Sequence, residues 1–165
     1  MNETLLTALA LIPALVIAIV FHEVAHGWTA LALGDPTAKE RNRLSLNPIR
    51  HVDPFGTLIL PGLLTLSGLP AFGWAKPVPV IKQRLRNPRF GMMAVAAAGP
   101  ASNLVMAAIG AVVLGGVVLA YAPSSADTAG LFGLLAEGYA PNPTTGFGFA
   151  VTAAYFFVLI NVFLA

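Results

Sequence analysis

The sequence predicts an all-α polytopic membrane protein, a helical bundle with a re-entrant or strand-like element after its first helix. Three observations carry that prediction. Of the 165 residues, 57% are hydrophobic and only 10% charged, with a mean hydropathy of +0.80, whereas a soluble domain carries about 25% charged residues. Four apolar segments stand out, at about 5–33, 55–74, 91–122 and 147–165, and a span needs about 20 such residues. All nine Lys and Arg lie between Lys39 and Arg89, leaving both ends of the chain without a basic side chain. The expected organisation is a single membrane-embedded core over residues 1–165.

The first segment opens with MNETLLTALA, which holds no Lys or Arg. A secretory signal needs a basic start, so this segment reads as a retained span. The second, FGTLILPGLLTLSGLPAFGW, contains Pro61, Gly62, Gly68 and Pro70, residues that weaken a helix interior. Basic residues flank it on both sides: Lys39, Arg41, Arg43 and Arg50 before, and Lys76, Lys82, Arg84, Arg86 and Arg89 after. Positive loops favour the cytoplasmic face. A full span over 55–74 would put the two basic loops on opposite faces, so a re-entrant segment is expected, with a Pro-kinked span as the alternative. Non-helical backbone is tolerated at membrane depth where protein or a wet cavity surrounds it.

The third segment is rich in small residues, which let helices approach closely in lipid. In it, Pro100 should free a backbone carbonyl, with Asn103 one turn beyond. Residues 122–146, rich in Pro, Gly, Ser and Thr, read as an external loop. The fourth segment is a further span. The N-terminus is thereby expected outside and the basic region in the cytoplasm.

Inside the first apolar segment stand His22, Glu23 and His26, in the pattern H-E-x-x-H. Such groups are costly in a membrane and are retained there for function. Residues i and i+4 share a helix face, so both imidazoles can reach one ion, and neutral imidazole suits zinc. Glu23 can then take a proton from a water that the metal has acidified to a pKa of about 7, and the metal polarises a carbonyl. An intramembrane hydrogen-bonded cluster, haem ligation and a proton relay are the competing readings. The 17 residues from Leu5 to Phe21 span roughly 25 Å as a helix. With the N-terminus outside, the motif falls towards the cytoplasmic side.

The chain has no cysteine, which excludes disulfides and thiolate ligands and leaves His, Asp and Glu to hold any metal. A third ligand is harder to find. The position of a metzincin's third His is occupied by Ala32. Glu40 sits among basic residues, and Asp127 and Glu137 fall in the expected external loop. His51 and Asp53, in NPIRHVDPFGT, are weak candidates that lead back towards lipid. A net charge of +2 gives no reason to expect nucleic acid.

The stretches FHEVAHGWTALALGDPTAK, RLSLNPIRHVDPFGTLILP, GWAKPVPV and AAGPASNL, in that order over about the first two-thirds of the chain, resemble the site-2 protease family of intramembrane zinc metalloproteases, in its compact bacterial form. The resemblance implies one zinc ion on His22 and His26, Glu23 as general base, and Asn103 as a polar contact near the active site. It also implies a bacterial cell-membrane enzyme, a metalloendopeptidase whose substrates are transmembrane segments of other membrane proteins. In this family the third ligand is an Asp in an LDG-like motif on a later helix. No such motif stands between Met1 and Ala165. The third ligand is therefore expected beyond residue 165, and the chain by itself is expected to bind zinc poorly. The rival readings are a non-catalytic membrane regulator derived from a protease and a metal transporter. A transporter would carry further ligands along a path, and the other spans contain almost no ionisable residues. Nothing in the sequence specifies an oligomeric state.

Overall fold

The computed structural model describes residues 2–67, 74–121, 124–139 and 142–165. Among them no strand occurs, and three helices are long and apolar enough to cross a membrane: α1 (Glu3–Ala32), α4 (Pro88–Tyr121) and α6 (Gly146–Leu164). Between them lie the short helices α2 (Thr37–Glu40), α3 (Leu60–Leu66) and α5 (Ser125–Ala136). Helix α1, at 30 residues, is about 45 Å long, longer than a hydrocarbon core of about 30 Å. Most of the apolar surface of the three long helices points outward, with only 22%, 33% and 22% of their most apolar windows buried. That arrangement suits lipid as solvent, where outward Leu and Val cost nothing and backbone groups are satisfied within each helix. Three such helices fit a multi-pass membrane protein.

The segment 55–74 does not contain a spanning helix among its described residues. It starts as one turn of π-helix, Pro54–Ile59, which runs into α3. Asp53 caps the start, its side chain accepting from the Gly56 N–H at 2.7 Å. Pro61 and Gly62 are tolerated inside α3, whereas Gly68 and Pro70 lie outside the described residues. The far end of the segment returns to its start: the Trp74 N–H donates to Gly56 O at 3.1 Å, and the Lys76 N–H donates to His51 O at 2.9 Å. A segment whose two ends are hydrogen-bonded has the closed path that re-entry requires. The strand-like expectation is not met by a strand: residues 74–81 carry neither helix nor strand.

The expected loop at 122–146 contains a helix instead. Ser124 caps α5 by accepting from the Asp127 N–H, and Asp127 places its charge in the first turn, where the helix dipole favours an anion. Leu131 and Leu135, four apart on one face, pack the helix down. Ser124 and Gly138 mark the boundaries of the helix, whereas Gly130 and Gly133 stand inside it.

The chain forms two compact units, residues 1–18 with 101–165 and residues 19–100. The first has its core at Leu114, Val118, Leu135 and Val151. Within it Asn103 and Asn161, both fully buried, are joined by a hydrogen bond of 3.0 Å from Asn103 Nδ2 to Asn161 Oδ1. The second unit packs Ala30, Leu85 and Val95 together. A buried carboxylate, Asp35, ties it further: it accepts from the Thr37 N–H at 3.0 Å, from the Thr37 hydroxyl, and from the Ile81 N–H at 2.5 Å.

Candidate metal centre

The centre is built entirely from residues of the 19–100 unit. His22, Glu23 and His26 stand on α1, and the helical spacing brings the two imidazoles together edge to face, with ring centroids 4.7 Å apart. Their Nε2 atoms converge on the backbone of α4 at Gly99. A methyl group at that glycine would lie 2.5 Å from His22 Nε2 and 2.5 Å from His26 Nε2. The small space that both nitrogens face is there because residue 99 has no side chain.

The other nitrogen of His26 settles its tautomer. Nδ1 lies 2.6 Å from Val95 O. A carbonyl can only accept, so Nδ1 carries the proton and Nε2 of the neutral ring presents a lone pair. A backbone carbonyl in this role orients the ring and raises its basicity as a ligand. The acceptor is the carbonyl next to that of Ala96, whose usual helical donor would be residue 100. Pro100 has no N–H to give, yet α4 continues through it.

Glu23 is held from the other side. Its Oε2 accepts from the Val78 N–H at 2.8 Å, in the extended stretch that follows the closed segment. Gly27, one residue after the motif, allows this approach: a Cβ there would meet Leu44 at 2.5 Å and Val78 at 3.1 Å. With Oε2 so anchored, Oε1 is left to accept a proton.

The chemistry of the donor set fits a zinc half-site: two imidazole nitrogens facing one small space, one with its tautomer set, and a carboxylate beside them. Among the described residues no group of three His, Cys, Asp or Glu comes together to hold a metal. His51 is buried, with Nε2 on Ser45 O at 2.8 Å, and Asp53 caps the π-helical turn. Asn103 stands on α4 one turn beyond Gly99 and pairs with Asn161. Val78, Val95, Gly99 and Gly27 are parts of the centre that the sequence reading missed. The first two act through backbone atoms, which leave no signature in residue type; Gly99, beside the quoted Pro100, was the detectable one.

A protein of Bacillus subtilis, "Putative zinc metalloprotease YwhC", is 45% identical over 114 residues, which are 67% of this chain and 49% of that protein. A Mycolicibacterium smegmatis protein, "Putative zinc metalloprotease Rip2", is 33% identical over 88 residues, 53% of this chain and 33% of that protein. Both similarities agree with the resemblance to the site-2 protease family that the sequence motifs carry. The chain spans half or less of the length of the curated relatives it matches. No family model and no solved structure matches it.

Proposed function

We propose that this chain carries the catalytic half-site of a zinc-dependent endopeptidase that cleaves peptide bonds in transmembrane segments of other membrane proteins. The convergence of His22 and His26 Nε2 on one small space, with Glu23 anchored beside it, is the observation that carries the reading. Zinc held by His22 and His26 would supply a Lewis acid for the scissile carbonyl and acidify a water. Glu23 takes the proton of the attacking water on Oε1 and returns it to the leaving amine, while the Val78 N–H keeps Oε2 from turning away. Val95 O keeps the His26 ring in the tautomer that ligates. The names of the relatives support zinc and proteolysis, and the three apolar helices support a membrane substrate. A third ligand besides His22 and His26 would complete the set. The basic loops would place the centre towards the cytoplasmic face of a bacterial cell membrane.

The test is Glu23→Gln in the full-length protein reconstituted in lipid. Cleavage of a transmembrane substrate should fall about 10²–10⁴-fold, the range typical of a lost general base, while bound zinc stays near one per chain. Unchanged cleavage would remove Glu23 from the chemistry, and zinc flux in place of cleavage would support a transporter.

A further inference from the structure

Arg43 is only 6% exposed, although its side chain stays charged and cannot shed its proton to ease burial. Burial pushes its guanidinium below the usual arginine range, and the charge of Glu23 partly offsets that. Arg84 and Glu40 form an ion pair at 3.0 Å, whereas Arg43 makes no direct ion pair among the described residues and feels Glu23 only through its charge. Its partners are carbonyls. Nη1 donates to Arg50 O at 2.5 Å, and Nη2 donates to Lys76 O and, at 3.4 Å, to Pro77 O. A buried charge is costly unless it is satisfied. Its two Nη groups are satisfied by joining the 43–51 loop to the start of the PVP stretch, while Nε is buried with no hydrogen-bond partner among the described residues.

Residues 77–79 read Pro-Val-Pro. Neither proline has an N–H, both fix their own φ, and Pro79 confines Val78 to extended backbone. The stretch therefore offers one amide proton at a stiffly defined place, and that proton goes to Glu23. The carbonyl of Pro77 and the N–H of Val78 belong to one planar peptide group. Arg43 holds it by the oxygen and Glu23 by the nitrogen. A donor on the oxygen polarises the group and strengthens the bond its N–H gives.

We propose that Arg43 is a positioning residue for Glu23, acting through the Pro77–Val78 peptide group. The proposal rests on the reading of Glu23 as general base. Arg43 touches neither the metal ligands nor a reacting atom; it sets where the carboxylate stands. Lysine at this position keeps the charge but loses the fork that reaches Arg50 O and the Lys76 and Pro77 carbonyls together.

The experiment compares R43K, V78P and the double variant in the full-length protein in lipid, reading zinc content, kcat, KM and hydrogen exchange. Within residues 77–79, Val78 carries the only exchanging amide, read from the difference between overlapping peptides. For R43K we expect kcat down about tenfold, KM within about twofold, zinc unchanged and Val78 exchange at least about tenfold faster. V78P removes the N–H with Arg43 in place and should lower kcat at least as far. Adding R43K to V78P should then change kcat by less than about twofold, because the path is already cut. Losses that multiply, an unchanged kcat in R43K, or a kcat loss matched by lost zinc and lost folded protein would each overturn the proposal. If wild-type protein cleaves nothing, Val78 exchange still decides: faster exchange in R43K upholds the grip on the peptide group while the peptidase reading falls, and unchanged exchange overturns it.

Discussion

Gly99 shows how much one hydrogen atom decides. Its missing side chain is the space that His22 and His26 Nε2 face, and a methyl group there would sit 2.5 Å from both, well inside contact distance. The imidazoles are the far ends of side chains, so they would swing aside and the helices would keep their packing. Gly99→Ala should therefore leave the protein folded in detergent while zinc affinity drops by about 10–100-fold, the loss usual when support around a metal ligand is disturbed. Competition with a chelator measures it; wild-type affinity in the variant would show that the rings do not meet at Gly99. The H-E-x-x-H spacing was legible because helical periodicity is a property of sequence. The groups that orient it, Val95 O and the Val78 N–H, were not, since every residue except proline owns both an N–H and a carbonyl.

At the scale of elements, Asp35 joins the end of α1 to the extended stretch at Ile81. Burial raises its carboxyl, but hydrogen bonds from the Thr37 hydroxyl and from the Ile81 and Thr37 N–H groups, with the nearby Arg84, outweigh burial and bring it below the usual carboxylate value of 3.8. A group depressed in the native state favours folding above its unfolded pKa, and that contribution disappears as pH falls through the native value. The stability gap between wild type and Asp35→Asn should thus be full at neutral pH and close as pH drops below 3.8. Chemical denaturation in detergent over that range measures it; a gap independent of pH would show that the carboxylate charge plays no part. Helix α5 teaches a different lesson about elements. Its Gly-rich composition suggested a loop, but a Ser124 cap and two leucines packed on the core of its unit outweigh weak helix propensity. The closed path of 55–74 was legible only indirectly, from basic residues on both of its flanks.

For the whole molecule, the hydrogen bond from Trp74 to Gly56 and the one from Lys76 to His51 have a topological consequence. The chain leaves the 55–74 segment where it entered, so the loops at 34–54 and 75–90 should lie on one face of the membrane. Single cysteines at Arg41 and Lys82, in an otherwise cysteine-free full-length protein, should react with an impermeant maleimide only after the cytoplasmic face is opened. Labelling from opposite faces would mean that the segment crosses. Composition alone determined that this chain lives in lipid, because no packing can hide 57% hydrophobic residues beside 10% charged ones. Spacing determined that two histidines share a helix face. Only the tertiary structure decided what stands opposite them, a glycine and a carbonyl of α4, and what holds Glu23, an amide 55 residues away. The reason is physical: periodicity along a helix is local, whereas an N–H or a missing Cβ acquires meaning only from the neighbour that packing brings to it.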